Sequence, residues 1–129
     1  MKNSTYVVRK LHFLLLGFLF SYHITQAQQV PKGLTASNGQ FIGFYEYKPV
    51  DYNTNTKYPV IIFLHGIGER GNGTTELCRE TGLGTPQAIR DGHNMRFYWN
   101  GKWETFLVLT PQLDSRYGNW ENFYVEEMI

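Results

Sequence analysis

The chain has a single cysteine, Cys78, among 129 residues. No internal disulfide can form, so the fold has to be held by its core. Cys78 lies on an amphipathic segment and is expected to pack rather than react. No run approaches the roughly 20 apolar residues that a membrane-spanning helix needs, since the longest, residues 11–20, is broken by His12 and Gly17. No pair of His, Cys, Asp or Glu has zinc-type spacing, so neither a metal nor any other cofactor is expected. Charge of one sign is also lacking, with 12 basic against 11 acidic residues, and nothing here attracts nucleic acid or an anionic membrane. Beyond residue 27 the only serines are Ser37 and Ser115. Ser115 lies in Asp114-Ser115-Arg116, without the flanking glycines that a strained nucleophilic turn requires.

What is present begins with a leader. Lys2, Arg9 and Lys10 form a basic head, an apolar run follows, and Thr25-Gln26-Ala27 offers small residues where a signal peptidase reads. Residues 1–27 therefore read as a signal peptide cleaved after Ala27, which predicts a secreted or periplasmic protein free of the membrane once processed. The leader holds three basic and no acidic residues, so residues 28–129 carry a net charge of −2.

Residues 28–38 are polar, contain Pro31 and Gly33, and read as an extended lead-in. Residues 40–49 are aromatic and partly alternating, a strand that Pro49 closes. Residues 51–57 hold two Asn and two Thr and read as a turn. Residues 58–64 are continuously apolar, the pattern of a strand buried on both faces of a parallel sheet. Four of the eight residues from Gly66 to Gly73 are glycine. Helical turns are expected around Leu77, closed by Gly82, and again from Thr85 as N-cap and Pro86 as first helical residue to a stop at Gly92. Residues 97–103 carry four aromatics, three before Asn100-Gly101 and one after it, a hairpin turn or a surface lid. Residues 105–110 form a second buried strand, and a terminal helix begins near Asn122. Two apolar strands joined by a long helical segment predict a parallel crossover and an α/β fold.

The glycine loop, His65-Gly66-Ile67-Gly68-Glu69-Arg70-Gly71, formally matches G-x-G-x-x-G. A dinucleotide site, however, needs the loop to open at once into a helix, and Gly71-Asn72-Gly73-Thr74 prolongs it with poor helix formers. The stronger reading is an oxyanion hole. Backbone N–H groups held at the end of a rigid strand stabilise the charge that acyl transfer develops on a carbonyl oxygen, and each such donor is worth about 3 kcal/mol. Gly66, Ile67 and Gly68 would form it: Gly66 permits the turn, and the amide of Ile67, or of Gly68, would point at the substrate. His65, Glu69 and Arg70 would support the loop, with His65 orienting it rather than acting as a base.

The block from Tyr58 to Gly73 resembles the third strand and following loop of secreted α/β-hydrolases of the feruloyl esterase and polyhydroxybutyrate depolymerase type. Residues 84–92, residues 106–112 and Trp120 extend the resemblance over residues 40–129. It implies the N-terminal portion of an α/β-hydrolase sheet, incomplete, whose substrate is a small-molecule or polymeric ester. In that family a G-x-S-x-G elbow, an acid and a histidine follow later in the chain. None is present here, so residues 28–129 read as a hydrolase portion that stops before the nucleophile and has no catalytic residue of its own. On this view the isolated piece is insoluble or molten, because the second apolar strand lacks a neighbour.

A different class competes with this reading. Phe97, Tyr98, Trp99 and Trp103 either pack on the sheet's flank or make a platform for a sugar or phenolic group. In the second case Trp99 and Trp103 would be the platform of a non-enzymatic carbohydrate-binding module. Oligomeric state is not encoded in any pattern of the chain.

Overall fold

The structure, a computed structural model, describes residues 28–129; the expected signal peptide and its cleavage site lie outside the described residues. A mixed four-stranded sheet forms the body. Its strands are β1 (Gln29–Thr35), β2 (Phe41–Tyr47), β3 (Val60–Ile62) and β6 (Leu107–Pro111), in the order β1-β2-β6-β3. A separate hairpin is made by β4 (Arg96–Trp99) and β5 (Lys102–Thr105). Helices are few and short: α1 (Gly84–Arg90), α2 (Phe123–Glu126), and 3₁₀ segments at Ile67–Glu69 and Leu77–Gly82.

The polar lead-in is a full strand. β1 pairs antiparallel with β2 along its whole length, from Gln29 opposite Tyr47 to Thr35 opposite Phe41. Its residues are mostly exposed because it lies at the sheet border, and an edge strand accepts Pro31 there. Exposure on both faces removes the apolar alternation by which a strand is recognised. Between β1 and β2 the chain turns at Gly39 (φ +82°), with the Ala36 and Gln40 backbones hydrogen-bonded across the turn.

β3 runs parallel to β6, with Ile61 opposite Val108, so the expected parallel crossover is present. Its position differs from expectation. The seven-residue apolar run contributes only three ladder residues and lies at the other border of the described sheet, with Val60 and Leu64 exposed. The most buried strand is β6, which sits between β2 and β3 and buries Val108, Thr110 and Pro111. The second apolar strand therefore has a neighbour on each side, and the open edge belongs to the first.

Each face of the sheet carries its own small core. On one face Tyr47 and Val108, which are register partners, pack with Ile89 of α1 and with Met95, and Ile61 and Phe106 flank them. On the other, Ile42 and Leu113 pack with Ala36 and Tyr124, surrounded by Tyr117, Trp120 and Phe123. Full burial of such side chains is worth roughly 1.5–3 kcal/mol each, so both faces contribute to stability. Cys78 departs from expectation: it is exposed and contributes to neither core.

α1 starts one residue before the expected cap. Thr85 makes no capping bond, and the helix begins at Gly84 in the left-handed region (φ +59°). A side chain at Gly84 would meet the Phe63 ring at 2.2 Å, so this glycine serves close packing of helix on strand. The helix ends as expected at Gly92 (φ +98°). The Gly92 amide donates to the Ile89 carbonyl and the His93 amide to the Ala88 carbonyl, the paired bonds of a Schellman close.

Candidate functional site

After Ile62 the Phe63 amide still reaches the Leu109 carbonyl, and the chain then leaves the sheet. The next inward-facing side chain is His65, which is buried. Its Nδ1–H donates to the Gly66 carbonyl at 2.6 Å, and its Nε2 accepts the Leu113 amide at 3.0 Å. A backbone amide can only donate, so Nε2 must carry the lone pair and Nδ1 the proton. Burial lowers the His65 pKa, which keeps the ring neutral. The Trp120 indole N–H donates to the His65 carbonyl at 3.1 Å, and the two rings meet edge to face at 4.9 Å. Both ring nitrogens are thus engaged with backbone groups, and the histidine holds the loop in place.

That hold has a directional consequence. In a trans peptide the C=O and the following N–H point in opposite directions, and no described peptide bond is cis. The Gly66 carbonyl faces the buried imidazole, so the Ile67 N–H is turned away from it. Ile67 is 74% exposed. The amides of Ile67 and Gly68 are the first two of the 3₁₀ turn at Ile67–Glu69, and among the described residues neither has a hydrogen-bond acceptor.

The second half of the glycine run behaves differently. Gly71 and Gly73 are buried. The Gly71 amide donates to the Leu113 carbonyl, and the Gly73 amide donates to Gln112 Oε1 at 2.8 Å. A side chain at Gly71 would strike the Gln112 amide at 2.7 Å. A side chain at Gly43 would lie 1.7 Å from the Gly73 carbonyl oxygen, so two backbones touch there. These glycines serve packing, whereas Gly66 and Gly68 are exposed.

Gln112 is the organiser that the sequence reading missed. It is the first residue past β6 and is buried, and its Nε2 donates to the carbonyls of Glu69 and Glu76 while its Oε1 accepts from Gly73. Three of the amide's bonding positions are spent on one loop. Its signal was an amide side chain directly after a buried strand, where no solvent is available to satisfy it. Glu69 and Arg70 support the loop through backbone groups, not through a bond to each other. Arg70 Nε donates to the Ile67 carbonyl at 3.1 Å, and its Nη1 donates to the Tyr117 carbonyl at 2.9 Å.

Glu80 was also missed. It lies three residues after Leu77 in a 3₁₀ segment, where i and i+3 share a face, and both are buried. Desolvation, aided by nearby Glu69, raises its pKa to about 9. Its Oε1 is 3.8 Å from His65 Nε2, and neither carboxyl oxygen has a hydrogen-bond partner among the described residues. With the acid pushed up and the histidine pushed down, the contact joins two neutral groups and is not an ion pair.

The remaining candidates lie apart from this cluster. Ser115 is exposed, and its amide donates to the Gly71 carbonyl. His93 is exposed and accepts the Met95 amide on Nδ1. Among the described residues no group of three His, Cys, Asp or Glu could hold a metal ion.

The aromatic segment is a hairpin. Asn100 (φ +48°) and Gly101 (φ +79°) both adopt positive φ, as a type I′ turn requires. Cross-strand partners share a face, so Tyr98 lies with Trp103 on one side and Trp99 with Lys102 on the other. Trp99 and Trp103 therefore project from opposite faces and do not form the joint platform expected of them. Phe97 packs edge to face on Phe106 and borders an open cavity of about 300 Å³ lined by Ile61, Ala88, His93 and Met95.

No protein-family model matches the sequence, and no curated protein matches it. Among solved structures a thermostable esterase is similar, with a TM-score of 0.44 and 21% identity over 78% of this chain and 28% of that one. The chain thus spans less than a third of that esterase's length.

Proposed function

We propose that residues 28–129 are the amino-terminal, oxyanion-hole-bearing portion of an exported carboxylic ester hydrolase of α/β-hydrolase type, with the serine, acid and base supplied by sequence other than that described. The observation that carries this reading is the pair of unpartnered amides at Ile67 and Gly68, aimed outward by the His65 grip on the Gly66 carbonyl. Two donors fixed in advance beside the end of a strand suit a charge that exists only at the tetrahedral stage of acyl transfer. Glu69 and Arg70 hold the turn from behind, and the Ile67 side chain takes no part. The substrate is an ester, small or polymeric.

The test removes one donor without touching a side chain that matters. Gly66 has φ −81° and ψ −172°, the extended conformation that precedes proline without clash, and Ile67 occupies the first position of a helical turn. Ile67→Pro should therefore fold normally while deleting the Ile67 N–H. In the complete gene product assayed on p-nitrophenyl esters, Ile67→Pro should lower kcat by about 10²–10³-fold, and Ile67→Ala should leave it within a few-fold. Equal activity of the proline and alanine variants would remove the oxyanion reading. An open reading frame without any G-x-S-x-G would remove the hydrolase assignment.

A further inference from the structure

The β4–β5 hairpin carries three exposed features on one face that the ester-hydrolase reading leaves unused. Tyr98 and Trp103 are 63% and 58% exposed, are register partners, and meet edge to face at 5.5 Å. The Arg96 guanidinium lies 5.2 Å from the centre of the Trp103 ring. Among the described residues no carboxylate pairs with Arg96, whereas the charges of the opposite face, Lys102 and Glu104, pair with each other. The Tyr98–Trp103 face is therefore aromatic with one uncompensated positive charge.

We propose that this face binds an acidic polysaccharide, with a uronic-acid unit stacking its C–H face on the aromatic pair and its carboxylate accepting from Arg96. Stacking on an aromatic face suits a sugar, and the guanidinium fork suits a carboxylate. Arg96 and Tyr98 are two residues apart on one strand, about 7 Å, the scale of one sugar unit. Arg96, Tyr98 and Trp103 all lie exposed on one strand face, which suits a polymer lying across it better than an enclosed small molecule. A hairpin with four residues in each strand is also small against the roughly 800 Å² per partner of a stable protein interface. The opposite face provides an internal control, because Trp99 is 72% exposed yet points away from Arg96.

The experiment is titration of the full chain with trigalacturonate, with xylotriose as the neutral comparison. Trigalacturonate should bind at least about tenfold more tightly than xylotriose, and less tightly as salt is raised. Arg96→Gln should remove the preference for the acidic sugar, Trp103→Ala should weaken both ligands by about tenfold, and Trp99→Ala should leave both within twofold. All three positions are exposed, and an unchanged far-UV spectrum would report that each variant keeps its fold. Equal binding of the two sugars, an equal loss in Trp99→Ala and Trp103→Ala, or concentration-dependent self-association abolished by Trp103→Ala would each overturn the proposal, the last by making the face a contact between copies.

Discussion

The glycine loop and the aromatic hairpin are both exposed turns, but they leave different things free. In the loop, buried partners consume most of the backbone: His65 takes the Gly66 carbonyl, Gln112 takes the Gly73 amide, and Leu113 takes the Gly71 amide. What remains includes the amides of Ile67 and Gly68. In the hairpin the ladder and the Asn100-Gly101 turn hold the strands together, and the features it offers are exposed side chains, among them Tyr98, Trp99 and Trp103. A site made of backbone atoms needs a rigid surround, since each donor is placed by the groups that bind its neighbours. A site made of side chains needs only a strand to carry it.

The contrast fixes how much each substitution should cost. The largest effect is expected inside the glycine run and its partner. Gly43→Ala forces a methyl into the Gly73 carbonyl, where neither backbone can yield cheaply, and should cost at least about 3 kcal/mol in denaturant unfolding. Gly68→Ala meets nothing within 4 Å and has no positive φ, so it should stay within about 0.5 kcal/mol. Similar losses at both positions would show that the loop is not divided into a packed half and an open half.

An effect of comparable size, spread over pH, should come from beneath the loop. Burial lifts the Glu80 pKa from an ordinary 4.5 to about 9, so the folded state prefers the protonated acid. Its contribution is complete below about pH 4.5 and is lost as pH rises toward 9, at up to about 1.4 kcal/mol per unit. Glu80→Gln should flatten the stability profile across that window and raise stability at neutral pH. His65 works with the opposite sign: its pKa is lowered, so it costs stability only as pH falls through and below its ordinary 6.5. Parallel profiles for the wild type and Glu80→Gln would contradict a neutral buried acid. The smallest effect belongs to the hairpin, where Trp99→Ala and Trp103→Ala should each change stability by no more than about 0.5 kcal/mol.

The same contrast explains what could be read from the sequence. The hairpin was one of the two readings that the Asn-Gly pair offered, the other being a surface lid. Which ring faces which side was not legible, since that follows from register. The parallel pairing of the two apolar runs was legible from their composition, but β3's place at the border was not, because strand order depends on contacts far apart in sequence. β1 escaped notice because an edge strand exposed on both faces carries no alternation. In the loop, His65 could be seen to stand at the turn, directly after the apolar run. Gln112 and Glu80 could not be tied to it, being 47 and 15 residues further along and joined to it only by the fold. Cys78 was misread because the segment around it is 3₁₀, where the three-residue repeat buries Leu77 and Glu80 and turns Cys78 outward.

Among the described residues the Ile67 and Gly68 amides are unpaired and point outward, while those of Gly71 and Gly73 are bonded within the protein. Amide hydrogen exchange followed residue by residue tests it directly. Ile67 and Gly68 should exchange within about tenfold of an unstructured chain, and Gly71 and Gly73 should be slower by about 10²-fold or more. Protection of Ile67 and Gly68 equal to that of Gly71 and Gly73 would mean that those amides already have partners, and the site would have nothing to offer an oxyanion.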